Sequence, residues 1–202
     1  MKPQLIVEQK ITAFVNKYVI FNVDDHGEKG QCVALAQQKR LAFKEKVIFY
    51  TNEEKTTVAF TFRAEKVFDV HGKYIVEDSS GNVLGGFKKQ FKQSLLKSTW
   101  HIVDSDNQPQ LVIAENNLTL ALIRRFAGFI PIIGDLIEII VLFFRYHFSF
   151  TDPHSDQEVG RYQKTTLLRD HYLLSMSDSV YATQDWRVFA AMAVALDALQ
   201  SR

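Results

Sequence analysis

The stretch from Asp185 to Leu199, DWRVFAAMAVALDAL, constrains the fold more than any other part of the chain. After the leading Asp185, only Arg187 and Asp197 are charged. Ala, Met, Leu and Phe favour helix, no Pro or Gly interrupts them, and Asp185 is placed to accept hydrogen bonds from the first free N–H groups as an N-cap. A helix that is apolar all round must be buried on every side or sit in a membrane. At about 1.5 Å per residue this one is too short for a hydrocarbon core of roughly 30 Å. It therefore needs a protein wrapper, and the strand-like sequence before it points to a sheet.

Short β-branched and aromatic runs fill most of the first 115 residues: 17–23, 31–37, 46–51, 56–62, 66–70, 73–78, 82–89, 98–104 and 110–115. DDHGEKG, TNEEK, DSSGN and DSDNQP separate them with turn-forming Asp, Asn, Gly and Pro. Three further runs, 146–151, 158–163 and 170–176, follow an apolar stretch, and the N-terminal segment 5–15 adds another. Barrels of about eleven strands enclose a helix, whereas eight leave room only for side chains. The expected fold is mainly β: one domain over 1–202, a closed antiparallel barrel of about twelve strands around a buried apolar C-terminal helix at 185–199.

A formal net charge of +1 speaks against wholesale electrostatic binding of nucleic acid. The single cysteine, Cys32, rules out an internal disulfide framework and fits a reducing compartment. Within QCVALAQ it reads as a small core side chain. The N-terminus lacks the apolar run of a secretory signal. The expected location is cytoplasmic, peripheral at a membrane if lipid is the partner.

The run from Tyr74 to Lys89, with Asp78-Ser-Ser-Gly81-Asn82 and the basic pair Lys88-Lys89, precedes Ser98-Thr-Trp100-His-Ile-Val-Asp104 and, at the end, the apolar helix. In this order the pieces resemble the tubby C-terminal-like superfamily, and within it the LURP-one-related and phospholipid scramblase-like proteins. The resemblance runs from about residue 17 onward. It implies a twelve-stranded barrel closed around its terminal helix. It also implies lipid head-group binding through basic residues, of which only Lys88 and Lys89 match a motif position. Asn117 to Tyr146 departs from the pattern, being longer and more apolar than the family leads one to expect.

That segment, NLTLALIRRFAGFIPIIGDLIEIIVLFFRY, reads as an inserted helical hairpin over 118–129 and 135–146, broken at Pro131 and Gly134. A transmembrane span would carry Asp135 and Glu138 at about 2.5–3.5 kcal/mol each. It would also leave the last strands and the central helix on the wrong side of the membrane to close the barrel. The apolar surface, including Phe126, Phe129, Ile130, Ile139, Phe143 and Phe144, needs cover. A barrel mouth, a second copy of the chain or a lipid interface would each supply it, and in the last case Arg124 and Arg125 would meet phosphates. Lys88, Lys89 and Lys92 form the other basic group, either an anion-binding patch or solvated lysines that blunt an edge.

No catalytic constellation appears: there is no HExxH, no G-x-S-x-G and no G-x-G-x-x-G, and the six histidines are scattered. The acidic groups at Asp104–Asn107 and Asp152–Glu158 lack EF-hand spacing and read as turns. No metal, cofactor or nucleic acid is expected. The leading expectation is a non-enzymatic peripheral lipid-binding or scramblase-like protein acting through its outer surface. The alternative is an interaction module whose insert forms a homodimer or partner interface.

Overall fold

The computed structural model describes residues 1–11, 15–39, 46–65, 72–90, 98–104, 106–115, 147–166 and 170–200. Twelve strands close into one antiparallel barrel in which each strand pairs with its sequence neighbours and β1 pairs with β12. They are β1 (Lys2–Ile11), β2 (Val15–Val23), β3 (Lys29–Lys39), β4 (Lys46–Tyr50), β5 (Val58–Ala64) and β6 (Lys73–Asp78). β7 (Val83–Lys89), β8 (Thr99–Val103), β9 (Pro109–Glu115), β10 (Phe148–Thr151), β11 (Glu158–Lys164) and β12 (Asp170–Met176) complete the wall. The short helix α1 (Asp178–Thr183) then leads to α2 (Trp186–Gln200). Closure gives each described strand a neighbour on both sides.

The strand pattern is the expected alternation. Tyr18 and Ile20 on β2, Val47 and Phe49 on β4, and Tyr172, Leu174 and Met176 on β12 point inward and are almost fully buried. Inside, α2 runs up the axis with every residue from Val188 to Leu196 at most 2% exposed. Asp185 caps it as its sequence position suggests, accepting the Arg187 N–H at 2.9 Å through Oδ1 and the Val188 N–H at 3.0 Å through its carbonyl. Aromatic rings fit the wall to the helix. Phe60 meets Trp186 edge-on at 5.7 Å, Phe189 sits 6.3 Å from Phe150, and Tyr181 of α1 stacks on Phe189 at 5.6 Å. On β7, Gly85 adopts φ +147°, and a Cβ there would stand 3.2 Å from Val188 Cγ2, so the missing side chain lets the helix lie against this strand.

One expectation needs revision. Cys32 is exposed, not core. Ala34 and Ala36 point inward, and strict alternation would carry Cys32 in with them. The register slips between Ile20↔Ala34 and Phe21↔Cys32, so the extra residue, Val33, turns Cys32 out. Between β12 and Asp185 the chain forms α1. The candidate strand 66–70 and the insert 117–146 lie outside the described residues, as does 12–14 of the N-terminal run. Among the described residues no helix is long and apolar enough to cross a membrane.

Candidate functional site

An up-and-down barrel sends its connections alternately to two ends, and here the ends differ in chemistry. At one, five hairpins share a device: an Asp or Asn side chain accepts backbone N–H groups from within its own turn. Asp24 accepts from His26 and Glu28, Asn52 from Thr56, Asp78 from Ser80 and Asn82, Asp104 from Asp106 and Gln108, and Asp152 from His154 and Ser155. In each turn one residue takes positive φ: Gly27, Lys55, Gly81, Asn107 and Asp156 respectively. The hydrogen bonds with Asn82 hold the Asp78 carboxyl below the usual carboxylate range. These carboxyls are engaged in building turns, which is what their spacing suggests for Asp104 and Asp152. The five turns, 24–28, 51–57, 78–82, 104–108 and 152–157, carry ten Asp and Glu residues and one lysine.

The other end has the opposite balance. The strand ends there are joined by the connections 12–14, 40–45, 65–72, 90–98, 116–147 and 165–169, which together carry nine Lys and Arg residues and five Asp and Glu. Strand ends fix which segments meet there. Lys89 pairs with Trp100, Thr99 with Ala114, and Glu115 with Phe148. The Lys88-Lys89 pair and both feet of the apolar insert thus belong to one arc of neighbouring strands, β7 to β10. At about 4.8 Å per strand, the arc is roughly 14 Å wide.

Lys88 and Lys89, adjacent on a strand, point to opposite faces. Lys89 follows the inward Phe87 by two and leans over the Trp100 ring, Nζ 5.5 Å from its centroid. Lys88 stands on the outer wall, directly between Lys73 on β6 and His101 on β8. Its neighbour Lys73 pairs with Glu65 at 2.9 Å, and farther along the same wall Arg63 pairs with Glu77 at 2.7 Å. Arg63 holds the Glu77 carboxyl below its ordinary range, against the opposing effect of burial. His101 lies 3.2 Å from Gln90 through Nδ1, and burial, with Lys88 adding to it, keeps the ring from protonating at its usual pH. Lys92, Arg124, Arg125, Phe126, Phe129, Ile130, Ile139, Phe143 and Phe144 lie outside the described residues.

Just inside this end, α2 carries the buried Asp197. Tyr18 donates its hydroxyl to Asp197 Oδ2 at 2.7 Å and Tyr172 donates to Oδ1 at 3.4 Å, while Gln9 Nε2 donates to the Tyr18 oxygen at 3.3 Å. Burial first, and then the Asp197 charge, keeps Tyr18 protonated at any physiological pH. Among the described residues, α2 occupies the axis where open barrels keep a ligand cavity, with Val188 to Leu196 buried.

Sequence reasoning singled out Lys88 and Lys89 as candidates but did not place Lys73 and His101 beside Lys88. The signal was present. Fixing the Asp78–Asn82 turn counts Lys73 opposite Lys88, provided the one-residue slip between Val76 and Glu77 is allowed for. The segregation of charge between the two ends was likewise missed, because it requires sorting the connections by end.

The LURP-one-related family model matches residues 33–197. No curated protein matches the chain. Among solved structures, an X-ray structure of a protein from Arabidopsis thaliana aligns at 13% identity and TM-score 0.35, covering 100% of this chain and 94% of that one. The matched span runs from within β3 to Asp197 on α2, and on that match the chain belongs to the LURP-one-related family.

Proposed function

We propose that this protein is a non-enzymatic barrel that binds anionic phospholipid surfaces peripherally, docking with its basic end. Lys88, Lys89, Lys92, Arg124 and Arg125 meet head-group phosphates in this reading, and the apolar segment 117–146 enters the interface. One observation carries it: the strand ends at one end of the barrel are joined by connections rich in Asp and Glu, and those at the other by connections rich in Lys and Arg, among them the apolar segment 117–146. A charge distribution polarised along the axis orients a protein toward an acidic surface. Each basic residue near that surface contributes about 1 kcal/mol, and the effect falls off within a Debye length. In the scramblase-like form of the reading, movement of phospholipid between leaflets uses the same end.

Vesicle flotation tests this. Wild type should float with anionic and not neutral vesicles, and high salt should release it. A variant with residues 118–144 replaced by a Gly/Ser loop should stay at the bottom. If wild type floats with neither vesicle and runs as a dimer, while the loop variant runs as a folded monomer, the insert is an assembly surface and the lipid reading fails.

A further inference from the structure

A second basic feature lies on the far side of the barrel. β2 stands six strands from β8, so the outer wall around β1–β3 faces away from the Lys88 wall. There the register places Lys10 directly opposite Lys17, and Lys17 directly opposite Gln37. All three point outward, since each flanks an inward neighbour: Gln9, Tyr18 and Ala36. From the β4–β5 hairpin Lys55 reaches across the gap between strands and donates from Nζ to Gln37 Oε1. Lys10, Lys17, Lys55, Gln37 and Glu53 line a cleft of about 260 Å³ whose floor includes Val19 and Leu35.

Two lysines directly opposite one another on paired strands repel, their Cβ atoms being about 4.5–5.5 Å apart. Among the described residues neither Lys10 nor Lys17 has a carboxylate within ion-pair distance. Glu8, on the same wall, is paired with Lys29 instead, at 2.9 Å. A third lysine is held in position by its own strained turn, with Lys55 at φ +57°. Three ammonium groups and one carboxylate leave two positive charges, matching the −1.5 to −2 of a phosphate monoester near pH 7. The Glu53 carboxylate supplies an acceptor for a hydroxyl. The cleft is at the small end of ligand sites, which suits a glycerol- or sugar-sized group.

We infer that this cleft binds a phosphate monoester carried on a small hydroxylated group, with Lys10 and Lys17 sharing the phosphate and Lys55 closing over it. The feature is independent of the basic end, and its test separates the two. Amide chemical shifts of the full-length protein are followed on titration with glycerol 3-phosphate, and flotation is measured with neutral vesicles doped with phosphatidylinositol 4-phosphate. The doped-vesicle arm uses a Lys88→Gln/Lys89→Gln background, so that the basic end does not contribute. Saturable shifts on β1–β3, weakened at least tenfold by Lys10→Gln/Lys17→Gln and unchanged by Lys88→Gln, identify a soluble phosphoester as the ligand. Flotation lost on adding Lys10→Gln/Lys17→Gln, without a response to glycerol 3-phosphate, identifies a lipid head group. Lys10 and Lys17 are exposed, whereas Lys88 and Lys89 are half-buried, so melting curves of both variants check folding. If neither probe binds in a way that depends on Lys10 and Lys17, the inference is overturned, whatever the Lys88 and Lys89 variants do at anionic vesicles.

Discussion

The Tyr18 hydroxyl on β2 donates to the Asp197 carboxylate on α2 at 2.7 Å, across 179 positions of sequence. An otherwise apolar helix could slide or rotate inside its barrel at small cost, since one alanine face resembles another. A buried carboxylate cannot, because turning it by one residue, about 100°, takes it away from both Tyr18 and Tyr172. Tyr18→Phe should therefore cost about 1.5–3 kcal/mol, the range for a hydrogen bond to a charged group. Urea denaturation should show this as a lower midpoint with an unchanged slope. A loss below about 0.5 kcal/mol would mean the pair does not fix the helix.

Gly85 and Gly81 both adopt positive φ, but only Gly85 faces the helix. Alanine at Gly81 meets nothing within 4 Å, so its cost is backbone strain of about 1 kcal/mol. Gly85→Ala adds pressure on Val188 and should cost more. In a Val188→Ala background the cost of Gly85→Ala should fall toward that of Gly81→Ala. A double-mutant cycle on melting curves measures the coupling, and zero coupling would place the helix farther from β7 than described.

Stability should fall in two steps on acidification. Burial lowers the pKa of His101 and His147 from the ordinary 6.5, so the folded state binds fewer protons than the unfolded one just below that pH. Their contribution is complete above pH 6.5 and lost as pH falls through the lowered folded values. Glu77 is lowered from 4.5 by Arg63, and its contribution is complete above 4.5 and lost as pH falls through its folded value. Replacing both histidines by Gln should flatten the first step and leave the second. Thermal melts across the pH range check this, and a first step surviving in the double variant would contradict it.

Lys88 stands directly across from His101. Lys88→Gln should raise the His101 titration midpoint, while leaving it below the ordinary value because burial is the larger cause. Nuclear magnetic resonance of the ring protons reads this directly. An unmoved midpoint would mean the two side chains diverge.

The strands and the central helix were legible because alternation and an all-apolar helix are local patterns. Cys32 was misread because one inserted residue, Val33, reverses every later face, and a bulge leaves no mark in hydrophobic alternation. Lys88 and Lys89 looked like a patch because they are adjacent, yet adjacency on a strand separates side chains. The Lys10–Lys17–Lys55 cleft was invisible for the converse reason: its lysines come from two hairpins, and only the register brings them together. The split of charge between the two ends emerges only when the connections are sorted by the strand ends they join.

The docking orientation is tested most directly with one spin label at each end. Cys32, exposed on β3 near the acidic turns, takes the first; Ile130→Cys in a Cys32→Ser background places the second in the insert. With anionic vesicles, the label at 130 should become accessible to oxygen in the lipid phase while the label at Cys32 stays in water. Both labels remaining aqueous, or the Cys32 label entering lipid, would contradict docking by the basic end. Spin–spin broadening at 130 without lipid would show instead that the insert meets a second copy of the chain.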